Sequence, residues 1–387
     1  MVDFSKAFNR QNHNLLITKL SDMGVPSWLL KIIIGFLTDR RMIVKYKGVK
    51  SSVKYLPGGG PQGTLLGLLL FIVLINDVGF DGQLNNAGEI VTSKRNMKEV
   101  NQIHLKYVDD LTLAEAINIP TKVEYIPDSV REQPDNFHAR TGHVLPVERS
   151  LVYRQLVKTK EYADHNDMKI NYKKTKTMVF NPCTSVDFMP DLRLENNELE
   201  VIDETRLLGI IIRSDLKWSS NTENLIERAY KKLWIIRRLK SLGAEQIDLV
   251  EIYTKMIRSI LELAVPAWQG AITQHEKINI ERVQKSAAHI ILGGDYSSYR
   301  VALKLLNLDS LESRRNKLCL NFVKKAEKHP KFKSWFTLTN PKLNTRKDKF
   351  KNKDRYLNVN AKHSRLAKSP LGFLTKMLND YYKKKSE

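Results

Sequence analysis

The stretch HLKYVDDLTL, residues 104–113, places two adjacent aspartates between apolar, β-prone segments. Apolar runs on both sides of a short acidic bend predict a tight β-hairpin with Asp109 and Asp110 at its turn. Two neighbouring carboxylates repel each other, and a divalent cation such as Mg²⁺, which prefers hard carboxylate oxygens, would remove that repulsion. The pair therefore indicates either a turn without a further role or one half of a metal site.

The chain carries a large excess of positive charge. Its 387 residues include 64 Lys and Arg against 42 Asp and Glu, a formal net charge of +22. This excess predicts a polyanionic partner, either nucleic acid or an anionic membrane. No apolar run reaches the ~20 residues of a membrane span, and no long basic amphipathic helix with a clean apolar face stands out, so nucleic acid is favoured. The two cysteines, Cys183 and Cys319, are too few for a disulfide framework. We expect an intracellular protein of the nucleus or cytoplasm.

Local patterns predict mostly helices with short strands between them. The first helical region is interrupted at Gly24-Val25-Pro26, because proline cannot continue a helix. Short β-prone runs alternate with turns over residues 169–213. The polar stretch 81–104 and the proline-containing stretch 118–148 are expected to be insertions or loops. The predicted helical regions are 12–37, 64–78, 150–168 and 220–292.

Metal chemistry on phosphates needs carboxylates from a second element, and the chain offers Asp3 in MVDFSKAF. A third element is YLPGGGPQGTLLGLLLF, residues 55–71, in which three glycines lead into an apolar helix. Glycines allow close backbone approach to a ligand, and a helix N-terminus favours anionic groups. The alternatives are a helix cap near the terminus for Asp3 and a flexible linker for the glycines.

Taken in this order, the motifs resemble the reverse transcriptases of non-LTR (LINE-type) retrotransposons over about residues 1–290. DFSKAFNRQNHNLLITKL is similar to the first palm motif, GGGPQGTLLGLLLFIVLIND to the motif that opens the template-side helix, and LKYVDDLTLA to the metal-binding hairpin. NDMKINYKKTKTMVF is similar to the next motif, RLLGIIIRSDLKW to the primer grip, and the helices after it to the thumb. Asn9 stands where the family usually has a second aspartate, and Leu68 replaces a usual proline.

The resemblance implies an α+β fold. Residues 1–215 would form a polymerase palm with a small antiparallel sheet backed by helices, 216–295 a helical thumb, and 296–387 a basic helical extension that is partly disordered. In this family a fingers subdomain precedes the first palm motif, and only two residues precede Asp3 here. We therefore expect an N-terminally truncated copy, without fingers and with impaired activity.

The implied activity is RNA-directed DNA polymerisation by two-metal nucleotidyl transfer to a primer 3′-hydroxyl. Asp3, Asp109 and Asp110 would serve as the catalytic carboxylates and hold two Mg²⁺ or Mn²⁺ ions. Lys174 would donate a proton or positive charge to the leaving pyrophosphate. The backbone N–H groups around Ser5 to Ala7 would face the incoming deoxynucleoside triphosphate. The full set of implied nucleotide contacts is Ser5, Lys6, Ala7, Phe8, Gln62 and Gly63.

The implied macromolecular partners are an RNA template and a DNA primer or their hybrid. Phosphate contacts of this kind are independent of sequence and sensitive to salt. For Phe8 the alternative role is core packing, and Trp234 and Trp268 are expected in the core rather than stacked on bases. The basic residues expected to contact nucleic acid are Arg228, Lys231, Lys232, Arg237, Arg238 and Lys240.

Two other functions stay open at this point. A non-catalytic fragment that binds RNA or DNA predicts salt-dependent hybrid binding that Asp109→Ala leaves unchanged. Another palm-type polymerase or an intron maturase predicts a preference for ribonucleotides, although the thumb motif and Phe8 argue against it.

Overall fold

The computed structural model describes most of the chain. The described residues are 1–5, 7–56, 58–61, 63–77, 102–107, 110–115, 136–138, 144–146, 151–180, 192–330, 332–336, 356–358 and 368–386. They fold into two compact units, Met1–Asp203 and Glu204–Glu387.

The helices of the first unit begin and end where local signals place them. Asn12 caps the first helix, since its side-chain Oδ1 accepts the backbone N–H of Leu15 at 3.2 Å. The interruption predicted at Gly24-Val25-Pro26 is confirmed, because the first helix ends at Asp22 and the second begins at Ser27. These helices are α1 (His13–Asp22), α2 (Ser27–Leu37), α3 (Leu65–Ile75) and α4 (Leu151–His165).

The strands of the first unit are short and pair two by two. All pairs are antiparallel except the pair formed by Lys176–Thr177 and Glu200–Val201, which is parallel. The pairs are β1 (Arg41–Met42) with β4 (Lys54–Tyr55), β2 (Lys45–Tyr46) with β3 (Val49–Lys50), β5 (Gln102–Tyr107) with β6 (Asp110–Glu115), β7 (Asn136–His138) with β8 (Val144–Pro146), β9 (Lys176–Thr177) with β12 (Glu200–Val201), and β10 (Arg193–Leu194) with β11 (Asn197–Glu198).

The hairpin predicted around the acidic pair is confirmed by the pairing of β5 with β6. Asp110, which was predicted at the turn, is instead the first residue of β6 and lies opposite Tyr107. β5 begins at Gln102, inside the stretch expected to be an insertion, because its register extends to Glu115. The β7–β8 hairpin likewise lies inside 118–148, where mainly loop was expected. In both places the strand pairing overrides a polar or proline-containing local sequence.

The core of the first unit lies against its N-terminal segment. Val2 and Phe4 are 4% and 5% exposed and share one apolar cluster with side chains of β6 and of all four helices. The segment 1–5 is therefore part of the core. The other buried members of the cluster are Ala7, Leu16, Leu20, Ile33, Leu37, Leu70, Phe71, Leu74, Ile75, Leu111, Leu156, Ala163, Met168, Ile170, Leu192, Leu194 and Leu199.

The second unit opens with one hairpin and continues as helices. A π-helical turn, Tyr253–Arg258, joins its second and third helices. The hairpin consists of β13 (Glu204–Leu207) and β14 (Ile210–Arg213). The helices are α5 (Ser219–Ser241), α6 (Gln246–Ile252), α7 (Ser259–Leu261), α8 (Val265–Trp268), α9 (Gln274–Leu292), α10 (Tyr299–Leu305), α11 (Leu311–Lys328) and α12 (Pro370–Ser386).

One apolar core runs through the second unit. Trp268 is fully buried, as expected from the sequence, and its indole N–H donates to the carbonyl of Leu263 at 2.9 Å. Leu233 of α5, Cys319 of α11 and Leu378 of α12 belong to the same cluster, so the described part of the basic extension packs with the helices before it. Full burial of a leucine side chain such as Leu233 or Leu378 contributes about 1.5–3 kcal/mol to the stability of the fold.

The chain is thus a mixed α+β protein with small two-stranded sheets, as its sequence led us to expect. Within the described ranges, no helix is both long and apolar enough to cross a membrane.

Candidate functional site

The N-terminal segment lies between two other segments of the first unit. On one side Val2 and Leu111 of β6 form an antiparallel bridge, in which the N–H of Val2 donates to Leu111 at 2.8 Å and the N–H of Leu111 donates to Val2 at 3.4 Å. On the other side Phe4 bridges to Ile170. Residues 1–5 therefore act as a central strand, although each bridge involves a single residue pair.

The backbone of Asp3 is held by the segment that follows Ile170. Its N–H donates to Oγ1 of Thr175 at 3.2 Å, and its carbonyl accepts the N–H of Asn171 at 2.8 Å. Thr175 is 1% exposed, so this contact is protected from water. Asp3 is half-buried. Both polar groups of its backbone thus face the 171–175 segment and away from β6.

Asp3 and Asp110 are the residues next to the Val2–Leu111 bridge. In an antiparallel pair, the residues that flank a bridged pair on matching sides lie opposite each other. The backbones of Asp3 and Asp110 are therefore cross-strand neighbours, although they are remote in sequence. Asp109, the third predicted ligand, lies outside the described residues.

The site fits a hard divalent cation in its donor chemistry. Mg²⁺ prefers carboxylate oxygens, and residues with carboxylate side chains occupy both sides of this strand pair. In the part of the chain that the structure describes, no group of three or more His, Cys, Asp or Glu side chains is arranged to hold a metal. Asp109 lies outside that part, so the ligand set of Asp3, Asp109 and Asp110 stays a prediction.

Lys174 lies in the turn that also holds Asp3. The backbone N–H of Lys174 donates to the carbonyl of Asn171 at 3.1 Å, and the residue is exposed. It immediately precedes Thr175, which binds the Asp3 backbone. The structure therefore brings the chain at Lys174 close to the chain at Asp3 and leaves its side chain in solvent.

Phe8 packs against the helix that follows the glycine-rich loop. Its ring stacks on Phe71 of α3, with ring centroids 4.4 Å apart and an angle of 23° between the planes. Phe8 is half-buried, so one part of the residue packs in the protein and another part faces solvent. Core packing and a contact to a nucleotide sugar are both compatible with this position.

The glycine-rich loop approaches the protein's own N-terminal segment. The N–H of Gly60 donates to the carbonyl of Phe8 at 2.7 Å, and the N–H of Gly59 donates to that of Gln11 at 3.1 Å. A Cβ on Gly59 would lie 2.9 Å from the carbonyl oxygen of Asn9, and its φ is +80°. Glycine is required there for close packing of two backbone segments, whereas the sequence had indicated close approach to a ligand.

The other predicted nucleotide contacts are placed as follows. The Ser5 N–H donates to the carbonyl of Lys169 at 2.7 Å, so this N–H group does not face a nucleotide as predicted. Ala7 is buried at the start of a 3₁₀ turn. Gly63 is exposed with φ +80°, just before Thr64, which caps α3 by accepting the N–H of Gly67 at 3.0 Å. Lys6 and Gln62 lie outside the described residues.

The basic residues expected to bind nucleic acid lie on α5 and differ in their surroundings. Arg237 and Arg238 are exposed, whereas Arg228 and Lys232 are half-buried. Lys231 is exposed and pairs with Glu227 one turn earlier at 2.5 Å. Lys240 donates to the carbonyls of Ile290 and Ile291 at 2.8 and 2.9 Å. Lys240 therefore binds free carbonyl groups at the C-terminal end of α9, and its positive charge interacts favourably with the helix dipole there.

The expectation that Trp234 lies in the core is wrong. Trp234 is 61% exposed, whereas its neighbour Leu233 is fully buried. Successive residues of an α-helix point about 100° apart, so a residue beside the buried stripe of α5 faces solvent.

The comparisons with known proteins agree with these motifs. No protein-family model matches the chain. It is 23% identical over 340 residues to the RNA-directed DNA polymerase from mobile element jockey of Drosophila melanogaster, and 22% identical over 280 residues to the Drosophila funebris protein of the same name. It is 20% identical over 333 residues to the probable RNA-directed DNA polymerase from transposon BS of Drosophila melanogaster. The chain is distantly homologous to the RNA-directed DNA polymerases of non-LTR retrotransposons.

The similarity to these polymerases covers most of this chain and a smaller share of theirs. It extends over 85% of the chain for the two Drosophila melanogaster proteins and 71% for the Drosophila funebris protein. The chain spans about a third of the curated relatives it matches, with 32% of each Drosophila melanogaster protein and 26% of the third covered.

Two features of the first unit were not predicted from the sequence. Thr175, which positions Asp3, has no local signal because its partner is remote in sequence. The ribbon over residues 40–56 was also missed. A Lys47-Gly48 turn flanked by alternating basic and apolar residues is a hairpin signal that could have identified it.

Proposed function

We propose that the first unit holds the nucleotidyl-transfer site of an RNA-directed DNA polymerase, a reverse transcriptase. In this proposal the first unit corresponds to the palm and the helices from α5 to α9 to the thumb. The observation that carries the proposal is the Val2–Leu111 bridge, because it makes the backbones of Asp3 and Asp110 cross-strand neighbours. The distant homology to polymerases supports the same reaction.

The carboxylates of Asp3, Asp109 and Asp110 would hold the two Mg²⁺ or Mn²⁺ ions. Such ions, when bound, supply the positive charge that activates a primer 3′-hydroxyl and stabilises the leaving pyrophosphate. Thr175 and Asn171 fix the backbone of Asp3. The Asp3 side chain would therefore lose little conformational freedom when its carboxylate binds a metal ion. Lys174, exposed on the same turn, donates a proton or charge to the pyrophosphate.

The nucleotide would lie beside Phe8. Its ring is supported by Phe71 and so presents a fixed surface to the sugar, and the Ser5 hydroxyl can donate to the triphosphate. Lys6, Ala7, Gln62 and Gly63 complete the proposed nucleotide contacts. Among the basic residues of α5, Arg237 and Arg238 are the most available to phosphates of an RNA template and its DNA primer, because they are exposed.

Primer extension by the 387-residue chain tests this proposal. The assay uses a DNA primer on an RNA template with deoxynucleoside triphosphates and Mg²⁺. We expect extension that D3N and D109N each reduce by at least about a hundredfold, since each removes a charged metal ligand. D22N is the matched control, because Asp22 is an exposed aspartate at the end of α1.

The outcomes separate the proposal from its alternatives. Extension that D3N and D109N leave unchanged would contradict the assigned site. Absence of extension, together with salt-dependent binding of the hybrid that Asp109→Ala leaves unchanged, supports the non-catalytic binding protein. A preference for ribonucleotides supports another palm-type polymerase or an intron maturase.

A further inference from the structure

Residues 40–56 of the first unit form a continuous antiparallel ribbon. Arg41 lies opposite Tyr55, and Lys45 lies opposite Lys50. Between these pairs the N–H of Ser51 donates to the carbonyl of Val44 at 2.8 Å, so the pairing extends along the ribbon. The tip is the Lys47-Gly48 turn, with φ values of +45° and +86°, the left-handed geometry that two-residue hairpin turns require.

The ribbon is exposed on both faces. Every residue of β1, β2, β3 and β4 is exposed. Its apolar residues are exposed as well, with Val49 at 73% and Val44 at 59%. An isolated two-stranded ribbon without burial has little intrinsic stability, so its own packing does not explain its composition.

The charge of the ribbon has one sign. No Asp or Glu occurs between Arg40 and Asn76. Over the ranges that the structure describes, none of the ribbon's basic side chains forms an ion pair with a carboxylate. The basic residues of the ribbon are Arg40, Arg41, Lys45, Lys47, Lys50 and Lys54.

The Lys45–Lys50 pair is unfavourable in the protein alone. Like charges directly opposite each other on neighbouring strands destabilise the pairing, whereas opposite charges stabilise it. Where a natural sequence breaks such a local rule, the position is usually part of a functional site. An anionic ligand between the two lysines would reverse the sign of the interaction. The pair therefore indicates a polyanion as the occupant and excludes a second copy of the same basic ribbon.

Two exposed tyrosines lie among these charges. Tyr46 and Tyr55 are 70% and 65% exposed. The Arg41 guanidinium lies 5.2 Å from the Tyr55 ring centroid, and the Lys47 ammonium lies 5.5 Å from that of Tyr46. Proteins that bind single-stranded nucleic acid combine basic residues along the backbone with aromatic rings on which unpaired bases stack.

We propose that the ribbon, residues 40–56, binds a single strand of RNA or DNA. Lys45 and Lys50 contact its phosphates, and unpaired bases stack on Tyr46 and Tyr55. A duplex offers no free base face for the tyrosines, which is why a single strand is favoured. The ribbon shares no residue with the proposed metal site or with α5, so the proposal stands whether or not the chain polymerises.

Binding of a fluorescent single-stranded oligonucleotide to the full chain tests the proposal. Anisotropy is measured over a salt series with K45Q/K50Q, and with K31Q/K304Q as the charge-matched control, because Lys31 and Lys304 are exposed on α2 and α10. Loss of two phosphate contacts should weaken binding and reduce the slope of log K against log salt by about 1.4. The control should leave the slope unchanged.

Stacking is tested separately at the tyrosines. Y46A and Y55A should each weaken binding by at least about fivefold, because an aromatic ring stacks on a base, and Y46F and Y55F should retain it. K45Q/K50Q should unfold at the same temperature as the parent chain or higher, since the substitution removes a repulsive pair.

Three outcomes would overturn the proposal. The first is equal binding by K45Q/K50Q and K31Q/K304Q. The second is ribbon-dependent binding that is as tight for duplex as for single strands, which would indicate backbone recognition without stacking. The third is ribbon-dependent binding to vesicles of anionic phospholipid with no effect of the ribbon on oligonucleotide binding, which would indicate a membrane surface.

Discussion

A disulfide between positions 3 and 110 tests the arrangement of the candidate site directly. Val2 and Leu111 exchange both backbone hydrogen bonds, so the next pair along, Asp3 and Asp110, is a non-hydrogen-bonded pair. The contacts of the Asp3 backbone with Thr175 and Asn171 agree with this, because they leave none of its polar groups for β6. Cα atoms of such pairs are about 4.5 Å apart, within the range of about 4.4–6.8 Å that a disulfide needs.

The expected stabilisation is large because the crosslink closes a long loop. D3C/D110C is introduced together with C183S, whereas Cys319 is kept because it is buried. A crosslink that closes a loop of about 100 residues stabilises by about 4.7 kcal/mol in the chain-entropy model, and strain reduces this. We expect the free energy of unfolding of the oxidised protein to be about 3–5 kcal/mol higher than that of the reduced protein.

Thiol titration, electrophoresis without reductant and urea denaturation give the result. D3C/T112C with C183S is the matched control, because Thr112 lies two residues further along β6. Diagonal neighbours of this kind are about 7–8 Å apart, too far for an unstrained disulfide. If D3C/D110C oxidises no faster than the control, or gains no stability, the two aspartates are not neighbours and the proposed metal site is wrong.

Two further predictions concern the second unit. E262Q should lower the free energy of unfolding by about 3 kcal/mol. The Arg314 guanidinium donates to the Glu262 carboxylate at 2.5 and 3.1 Å, and the Arg258 Nε lies 3.6 Å from the same carboxylate. Both guanidinium groups would therefore lose a half-buried counter-charge. Urea denaturation checks this against E251Q in an exposed pair, and equal losses would contradict it. Burial raises the pKa of the Cys319 thiol to about 12. Because the thiolate is the reactive form, Cys319 should react with a disulfide reagent at pH 8 at least about a hundredfold more slowly in the folded protein than in the urea-unfolded chain. Equal rates would refute this.

The helices were predictable where short-range signals define them. Asn12 provides a capping side chain, and Pro26 cannot continue a helix, so the bounds of α1 and α2 follow from neighbouring residues. The β5–β6 hairpin was predictable for the same reason, since an acidic bend separates two apolar segments. Each of these predictions depends on residues within a few positions of each other.

The partners of Asp3 were not predictable from the residues alone. Leu111 pairs with Val2, the residue before Asp3, and Thr175 binds the Asp3 backbone. Both lie more than a hundred positions away in sequence, and no spacing rule encodes such contacts. The resemblance of the motifs to a known family supplied that expectation. Trp234 is a different case, because the buried stripe through Leu225, Ala229 and Leu233 already predicts an exposed position for it.

The two proposed sites share one feature, which is a pair of like charges at opposite positions of neighbouring strands. Asp3 and Asp110 are cross-strand neighbours through the Val2–Leu111 bridge, and Lys45 and Lys50 are neighbours in the ribbon. In each pair, replacing one residue by a neutral β-branched side chain would remove the repulsion and suit the strand better. Since neither pair is explained by the stability of the protein alone, each is best explained by a ligand of opposite charge. The proposed divalent cation would neutralise the first pair and the proposed nucleic acid strand would neutralise the second.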